Sequence, residues 1–526
     1  MSLCTVSASD ESAILAKAAD APCAVRARPM VLAATILASS MVFIDGTVAN
    51  VALPALQQEF SASAADVQWV MESYALFLAS LLLAGGSAGD RYGRRRVFLI
   101  GVILFAAASV WCGMAGSIRH LIWARAVQGI GGALLVPGSL ALISASFEPE
   151  IRGKAIGTWS GYTAITAALG PAFGGFLIEH WSWRAAFLLN IPLALAVLVL
   201  TLRYVPESRG GKKHGRQDWL GAALTCIALG ALVSGLIMAG ATGWRNFKVA
   251  GLLLLGVLAL AMFILQERRH PAPVLPLHLF RSRDFSGANL LTLLLYAALG
   301  GSLYFLPLNL IQVQRYTAGE AGAALLPFVL TMFLLSGWAG TLVDRYGSRT
   351  PLVVGPAVAA LGFGLFALPA TGGSYWSTFF PALLVLGLGM AISVAPLTTT
   401  VMNALDESQA GAASGVNNAV SRLASLLAIA LFGIVMSVAF QSALASLAQD
   451  VAPAVMHEVI AQQGRLAAIE TPATATQAEA VRVRTAVDVA FVYGFRWVML
   501  LSATLALASS YSAWLLIGSR RQSRRA

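Results

Sequence analysis

The chain has 526 residues, of which 58% are hydrophobic and only 11% are charged, and its mean hydropathy is +0.75. A soluble globular protein carries roughly 25% charged residues, so this composition excludes a water-exposed body and predicts an all-α polytopic membrane protein. The net charge of +11 does not indicate a nucleic-acid partner, because the basic residues lie in short loops between apolar runs.

Neither the N-terminus nor the cysteines indicate secretion or metal binding. Residues 1–29 hold no apolar core that ends at a small-residue cleavage site, so they predict a short cytoplasmic tail and not a signal peptide. The four cysteines (Cys4, Cys23, Cys112 and Cys226) are widely scattered and have no CxxC or zinc-ligand spacing. No disulfide framework and no metal site are therefore expected.

Apolar runs long enough to cross a membrane recur along the whole chain. A spanning helix needs about 20 mostly apolar residues, and about 14 runs satisfy this. They lie at 30–53, 65–87, 97–116, 119–142, 154–178, 184–204, 218–240, 248–266, 285–307, 319–341, 350–370, 377–401, 411–440 and 488–517. Lys and Arg concentrate in every second connection and in the tail at 518–526, which predicts that these connections and both termini are cytoplasmic.

One short sequence occurs twice, each time between two apolar runs. It reads GSAGDRYGRRR at 86–96 and GTLVDRYGSR at 340–349. Matching basic turns indicate two homologous membrane halves. The copies follow the second and the tenth runs, so the runs at 218–240 and 248–266 form an inserted pair. The predicted plan is a tail (1–29), a six-helix half (30–205), a linker with the inserted pair and a surface segment (206–284), a second six-helix half (285–517) with an outer loop (441–487), and a basic tail (518–526).

The repeated turn suits a conformational latch on the cytoplasmic side. Gly93 and Gly347 fit a tight turn between helices, and Asp90 and Asp344 lie at helix ends. The basic partners are Arg91, Arg94, Arg95 and Arg345, which could also contact anionic lipid headgroups. Turn geometry and topology alone would explain one copy. Because two copies occur at matching positions, we predict ion pairs that form in one conformation and open in the other.

The fifth run is rich in glycine around one proline. Its residues are Gly161, Gly170, Pro171, Gly174 and Gly175. Small residues allow close helix packing, and proline weakens the helical hydrogen bonds one turn earlier. Two interpretations remain, ordinary close packing and a shaped hinge, and the glycine density favours the hinge.

Three ionisable residues lie within predicted spans. Asp45, Glu72 and Arg125 each fall roughly 10 Å below the outer surface, as judged from their distance to the helix ends. Charges in lipid are costly, so these side chains are expected to face a protein-lined or aqueous interior. Two acids beside an arginine predict a proton-coupling site, with an inert structural ion pair as the alternative. Weaker candidates for a substrate cavity are Asn50, Tyr74, Gln128 and Asn417, the last near Asn418 and Arg422.

Enzyme signatures are missing from the sequence. It has no Walker A motif, no GxSxG elbow and no HExxH spacing. We therefore expect neither an enzyme nor ATP-driven transport by this chain alone, and no cofactor other than a proton gradient.

The motifs together resemble the major facilitator superfamily, specifically its 14-helix drug:proton antiporter branch. The resemblance spans about 30–517. It rests on Gly86, Asp90, Arg91, Gly93, Arg94 and Arg95 for the loop motif, on Arg125, Gln128, Gly129, Gly131 and Gly132 for helix four, on Gly161, Gly170, Pro171, Gly174 and Gly175 for the antiporter motif, on Asp45, Thr47, Asn50, Ala52, Leu53 and Pro54 for helix one, and on WSWRAAFLLNIP at 181–192. The chain departs from the loop motif at Ala88 and Gly89, where the family usually has Leu and Ala.

The resemblance implies an inner-membrane, proton-driven exporter of drugs or other organic compounds that works by alternating access. The two candidate acids favour cationic compounds among the substrates. The alternatives are uptake or export of one dedicated metabolite, and a membrane sensor that kept the fold but not transport. No sequence feature bears on a periplasmic adaptor or an outer-membrane channel.

Overall fold

A computed structural model describes residues 27–209, 218–270, 275, 277–405, 410–447 and 452–518. These ranges contain helices and no strand, which confirms the all-α prediction. The helices are α1 (Arg28–Phe60), α2 (Ala64–Tyr92), α3 (Arg94–Gly113), α4 (Ile118–Ser146), α5 (Pro149–His180), α6 (Trp183–Leu188), α7 (Asn190–Tyr204), α8 (Trp219–Thr242), α9 (Phe247–Arg269), α10 (Arg283–Leu308), α11 (Ala318–Ala324), α12 (Leu326–Tyr346), α13 (Arg349–Phe366), α14 (Phe379–Asn403), α15 (Ala410–Leu447), α16 (Pro453–Ala461) and α17 (Gln477–Leu516). Short 3₁₀ turns lie at Leu277–Arg281 and Gln463–Ala468, and a π turn at Asn309–Val313. The N-terminal tail up to residue 26, most of the linker after 209 and the last basic residues lie outside the described ranges.

The number of membrane spans agrees with the sequence prediction. Within the described ranges, 13 helical segments are long and apolar enough to cross a membrane, and α2 makes 14 when its two parts are counted as one span. The two parts of α2 meet at an angle of 51°. Gly85 lies at this bend, where α2 packs directly on the backbone of α4 at Ala133, and glycine is a common site of helix kinks.

Two predicted spans contain a local break in the helical hydrogen-bond pattern, although each still forms one continuous span. The run at 184–204 divides into α6 and α7, and Pro192 in the first turn of α7 cannot donate a hydrogen bond back into α6. The run at 319–341 divides at Leu325, and Pro327 starts α12 in the position that proline favours. Hydropathy does not detect such breaks because both flanking segments remain apolar.

The predicted outer loop at 441–487 is shorter than expected. Helix α15 continues to Leu447, and α17 begins at Gln477 with a capping box between Thr476 and Glu479. Alanine and serine are frequent in the α15 extension (441–447), and alanine and charged residues in the α17 extension (477–487), so both are less apolar than the spans they continue. Between them, α16 and the 3₁₀ turn form a cap whose Leu466 is buried in the main core.

The inserted pair α8–α9 lies against the joint between the two halves. Helix α8 contacts α2 of the first half and α15 of the second half. Their shared apolar cluster contains Leu76, Leu229, Val233, Leu426 and Ala430. Helix α9 packs on α8 and leaves most of its leucines exposed, as expected for a helix that faces lipid.

The bundle has two distinct ends. Because the spans alternate in direction, the turn after α2 and the turn after α12 lie at the same end, which we name the basic end. The other end, which carries the cap, is the opposite end. Gly93 has a φ of +112° and Gly347 a φ of +76°, so both basic turns use backbone conformations that favour glycine.

Candidate transport site

A buried ion pair lies inside the first half. Arg125 on α4 donates from Nη1 to Asp45 on α1, and the two residues are 0% and 3% exposed. Gln128 lies one turn further along α4, where its amide donates to Asp45 Oδ1 over 2.7 Å and its carbonyl accepts from Arg125 over 2.8 Å. The structure therefore joins three sequence-predicted residues into one closed cluster.

Two further polar side chains complete this cluster. Asn190 at the start of α7 donates to Asp45 Oδ1 over 3.2 Å. Ser109 on α3 accepts from Gln128 over 2.9 Å and from Asn190 over 3.2 Å. Sequence reasoning missed both residues, although Asn190 belongs to the LLNIP stretch that supported the family resemblance. The Asp45 cluster thus connects α1, α3, α4 and α7.

The aromatic ring of Tyr74 covers one face of Arg125. The guanidinium carbon lies 4.1 Å from the ring centroid of Tyr74, which is a cation–π contact. The phenol donates to the carbonyl of Val42 over 3.2 Å, so the ring is held between α1 and α4. Arg125 Nη2 has no hydrogen-bond acceptor among the described residues.

Glycines on α4 bring the cluster together. A Cβ at Gly129 would overlap the backbone of α2 at Tyr74, and a Cβ at Gly131 would overlap α3 at Phe105. Only glycine allows such close backbone approach on both sides of one helix. This packing holds Arg125 within reach of Asp45.

Glu72 is separate from this cluster. Its side chain is fully buried on α2, and neither carboxyl oxygen has a hydrogen-bond partner in the described part of the chain. One turn away, Gln68 donates to the carbonyl of Ile429 on α15 over 2.9 Å, which places this face of α2 against the second half. The structure therefore brings Asp45 and Arg125 together, whereas Glu72 lies where the halves meet.

The basic turn of the first half contains a compact set of polar contacts. Arg94 Nε pairs with Asp90 Oδ1 over 2.7 Å, and the Arg95 backbone N–H donates to Glu207 over 3.1 Å. These contacts connect the turn to its own helices and to the start of the linker, and they do not involve the second half. In the second copy, the Arg345 guanidinium lies over the ring of Tyr346, as Arg91 does over Tyr92. The side chain of Asp344 lies outside the described set, and the latch stays a prediction.

The glycines of α5 form close contacts at the opposite end. A Cβ at Gly170 or Gly174 would overlap Thr47 or Val48 on α1. Across the boundary between the halves, a Cβ at Gly175 would overlap the carbonyl of Ala318 on α11, and one at Gly322 would overlap the carbonyl of Pro171. Helix α5 runs as one α-helix through Pro171. Four of the motif residues thus take part in close packing, and the predicted hinge stays a prediction.

The two halves touch at the opposite end and separate at the basic end. Gln312 donates to Gln57 over 2.6 Å, and the Gly319 backbone N–H donates to Glu179 over 3.1 Å. Towards the basic end, α5 and α12 leave open space around four glycines, since a Cβ there would meet nothing within 4 Å. They are Gly157, Gly161, Gly337 and Gly340. The structure is closed at the opposite end and open at the basic end.

The weaker cavity candidates have different surroundings. Gln128 belongs to the buried Asp45 cluster, and Asn50 donates to the carbonyl of Gly46 in its own helix. Asn417 accepts from Thr292 of α10 over 2.7 Å. A cavity of about 370 Å³ lies near the opposite end, lined by Gln57, Gln68, Tyr304, Gln312, residues of α8 and the cap.

Two helical halves that close at one end around buried intramembrane charges define a secondary membrane transporter. Residues 35–429 match the family model of the Major Facilitator Superfamily, and the chain belongs to that superfamily.

Similar proteins agree with this assignment. The tetracenomycin C resistance and export protein of Streptomyces glaucescens is 36% identical over 414 residues, which cover 78% of this chain and 77% of that protein. The drug efflux pump JefA of Mycobacterium tuberculosis is 30% identical over 493 residues, 91% of this chain and 96% of its own length. A bacterial homologue of the human lysosomal transporter Spinster has the same fold, with a TM-score of 0.65 at 19% identity over 93% of this chain and 98% of that one.

Proposed function

We propose that this chain is a proton-coupled exporter of organic compounds in the cytoplasmic membrane, with the basic end and both termini in the cytoplasm. The observation that carries the proposal is the buried Asp45 cluster, because an ionisable group inside a membrane domain is retained at a cost. The relatives named above are a resistance and export protein and an efflux pump, which supports the direction of transport. In this assignment, the structure is the inward-facing conformation.

Protonation of Asp45 would reorganise the first half. The ionised carboxylate has Arg125 as its counter-charge and accepts from Gln128 and Asn190. Neutralising one member of a buried ion pair leaves the other charge uncompensated, which costs about 3–5 kcal/mol. Since the cluster connects four helices, this change favours a different helix arrangement, and proton binding is thereby coupled to conformation.

The protonation of Glu72 would depend on whether the two halves are in contact at the opposite end. It is sealed without a partner when the opposite end is closed. Burying an ionised carboxyl without a partner is far costlier than burying the neutral acid, so we expect Glu72 to carry a proton in this conformation. Parting of the halves at the opposite end would admit water and change that preference.

The glycine contacts between α5 and α11 would serve as the outer gate. They hold backbone against backbone, so a rigid rotation of one half breaks them together. Opening there and closure at the basic end would expose the central space to the other side of the membrane. The Asp90 turn would then close the basic end.

The test uses proteoliposomes with an imposed pH gradient and two fluorescent probes, fluorescein and rhodamine 6G. We expect gradient-driven movement of at least one probe, with coupled proton flux that an uncoupler abolishes. Asp45→Asn and Glu72→Gln should each abolish proton-coupled flux, whereas Glu458→Gln, an exposed carboxyl on the cap, should match the unmodified protein. If both intramembrane variants keep proton-coupled transport, the assignment of these residues is wrong.

A further inference from the structure

An arginine of the second half faces the space between the halves. Arg422 on α15 lies about 18 Å from the start of that helix, calculated at 1.5 Å per residue. The bond from Gln68 to the carbonyl of Ile429 lies about 10 Å further along, towards the closed opposite end. Arg422 is therefore on the open side of this contact, and its side chain is mostly buried with a small exposed part.

The side chain of Arg422 reaches towards the first half. Its guanidinium carbon lies 5.9 Å from the ring centroid of Phe43 on α1. The phenol of Tyr74 is within electrostatic reach of Arg422, and the ring of the same residue covers Arg125 of the Asp45 cluster. Arg422 thus approaches the first half beside two aromatic residues, Phe43 and Tyr74, the second of which packs on Arg125.

Arg422 has no anionic partner. Within the described ranges, no carboxylate pairs with it and no acceptor takes a hydrogen bond from it. Other arginines of the bundle are paired, such as Arg125 with Asp45 and Arg315 with Asp488 at 2.7 Å. An uncompensated cation at this depth is costly and marks a functional site by default. An anionic ligand would offset the cost of keeping this guanidinium buried without a counter-charge.

Asp45 and Glu72, the two acids from which cationic substrates were expected, do not neutralise the charge of Arg422. Asp45 is 3% exposed and its oxygens are occupied by Arg125, Gln128 and Asn190. Glu72 is fully buried between the halves. Of Asp45, Glu72 and Arg422, the charged side chain that is least buried is therefore the cation, which lies beside the ring of Phe43.

We propose that Arg422 recognises the anionic group of the exported compound, and that preferred substrates are aromatic organic anions with a carboxylate or phenolate. A guanidinium binds a carboxylate through two parallel hydrogen bonds, and the ring of Phe43 offers an apolar surface for the rest of the molecule. The inference rests on the proposed export function and specifies the substrate class of the same central space. The substrate anion supplies the counter-charge that Arg422 needs when the gap closes.

The test measures binding separately from transport. Fluorescence polarisation of fluorescein and of rhodamine 6G is followed with the purified full-length protein in detergent, at a pH where fluorescein is anionic. The two dyes share a xanthene core and differ in charge. Arg422→Gln should weaken fluorescein binding about tenfold or more, the effect of one charge-assisted hydrogen bond, and leave rhodamine 6G binding unchanged. Arg422→Lys should retain part of the affinity, and Arg245→Gln, at an exposed site between α8 and α9, should retain all of it.

Competition on the unmodified protein provides a second measurement that needs no variant. Naphthoate should displace fluorescein, and naphthylmethylammonium should not. The proposal is overturned if fluorescein does not bind, if Arg422→Gln binds it as tightly as the unmodified protein, or if both dyes lose affinity equally. Gradient-driven transport of rhodamine 6G alone would overturn the substrate class and leave the export function standing. Selective fluorescein binding without any gradient-driven flux would support Arg422 and contradict the export function.

Discussion

Adding one methyl group at Gly175 should open the closed end of the transporter. In the structure, a Cβ at this position would overlap the backbone carbonyl of Ala318 in the other half. The obstructing atom is backbone at the start of α11, so it cannot rotate away as a flexible side chain would. Overpacking of this kind costs about 1–3 kcal/mol.

The penalty applies to one conformation only, since the contact between α5 and α11 exists only when the opposite end is closed. A differential free energy of about 1–3 kcal/mol changes the equilibrium between two conformations by roughly 5–150-fold. Gly175→Ala should therefore shift the population from the inward-facing towards the outward-facing conformation. Helix propensity acts on both conformations equally and cancels.

Pulsed electron resonance between two spin labels measures this shift. His180→Cys on α5 and Thr371→Cys after α13 place labels on exposed residues of different halves at the opposite end, in an otherwise cysteine-free chain. Gly175→Ala should add a population with a longer distance between the labels. Gly251→Ala on α9, where a Cβ meets nothing within 4 Å, is the matched control. Identical distance distributions for the two alanine variants would refute the outer-gate role of Gly175.

Three further predictions concern the charged residues. Asp45→Asn should lower the unfolding free energy by about 3–5 kcal/mol, and adding Arg125→Gln should recover most of it in thermal unfolding; simple additivity would show that the two charges are independent. Asp90→Asn should change the unfolding free energy by at most about 1 kcal/mol, because the pair of Asp90 with Arg94 is partly exposed. The same variant should reduce transport several-fold, and unchanged transport would exclude a latch. Glu72→Met should raise the melting temperature in detergent by removing an unpartnered buried carboxyl, and a lower value would indicate a hidden partner.

Most of the fold could be predicted from the sequence, because apolar run length and the spacing of basic turns are direct consequences of a lipid environment. The local breaks before α7 and at Leu325 were missed because the spans were assigned from hydropathy, which stays high on both sides, although Pro192 and Pro327 mark these positions. The sequence analysis also missed the helical extensions of α15 and α17. They are helical but less apolar than the spans they continue, and they project beyond the predicted span.

The charged part of the site was partly predictable. Asp45 and Arg125 were found because charge within a span is rare, and their depths were comparable. Depth along a helix does not fix rotation about it, so the sequence grouped Glu72 with them although it faces the other half. Asn190 could not be recognised as a partner of Asp45, because a single amide in an apolar helix gives no information about its neighbour.

Helix α8 covers one of the two joints between the halves, so the two lipid-facing sides of the transporter differ. On one side, the joint between α2 and α15 is covered by Leu229 and Val233. On the other side, a Cβ at Gly161 of α5 or at Gly337 of α12 would meet no atom within 4 Å, so open space adjoins both helices. With the basic end in the cytoplasm, as proposed, a lipophilic compound in the inner leaflet would meet protein at the first joint. We therefore predict that lateral entry to the central space occurs on the side opposite the inserted pair.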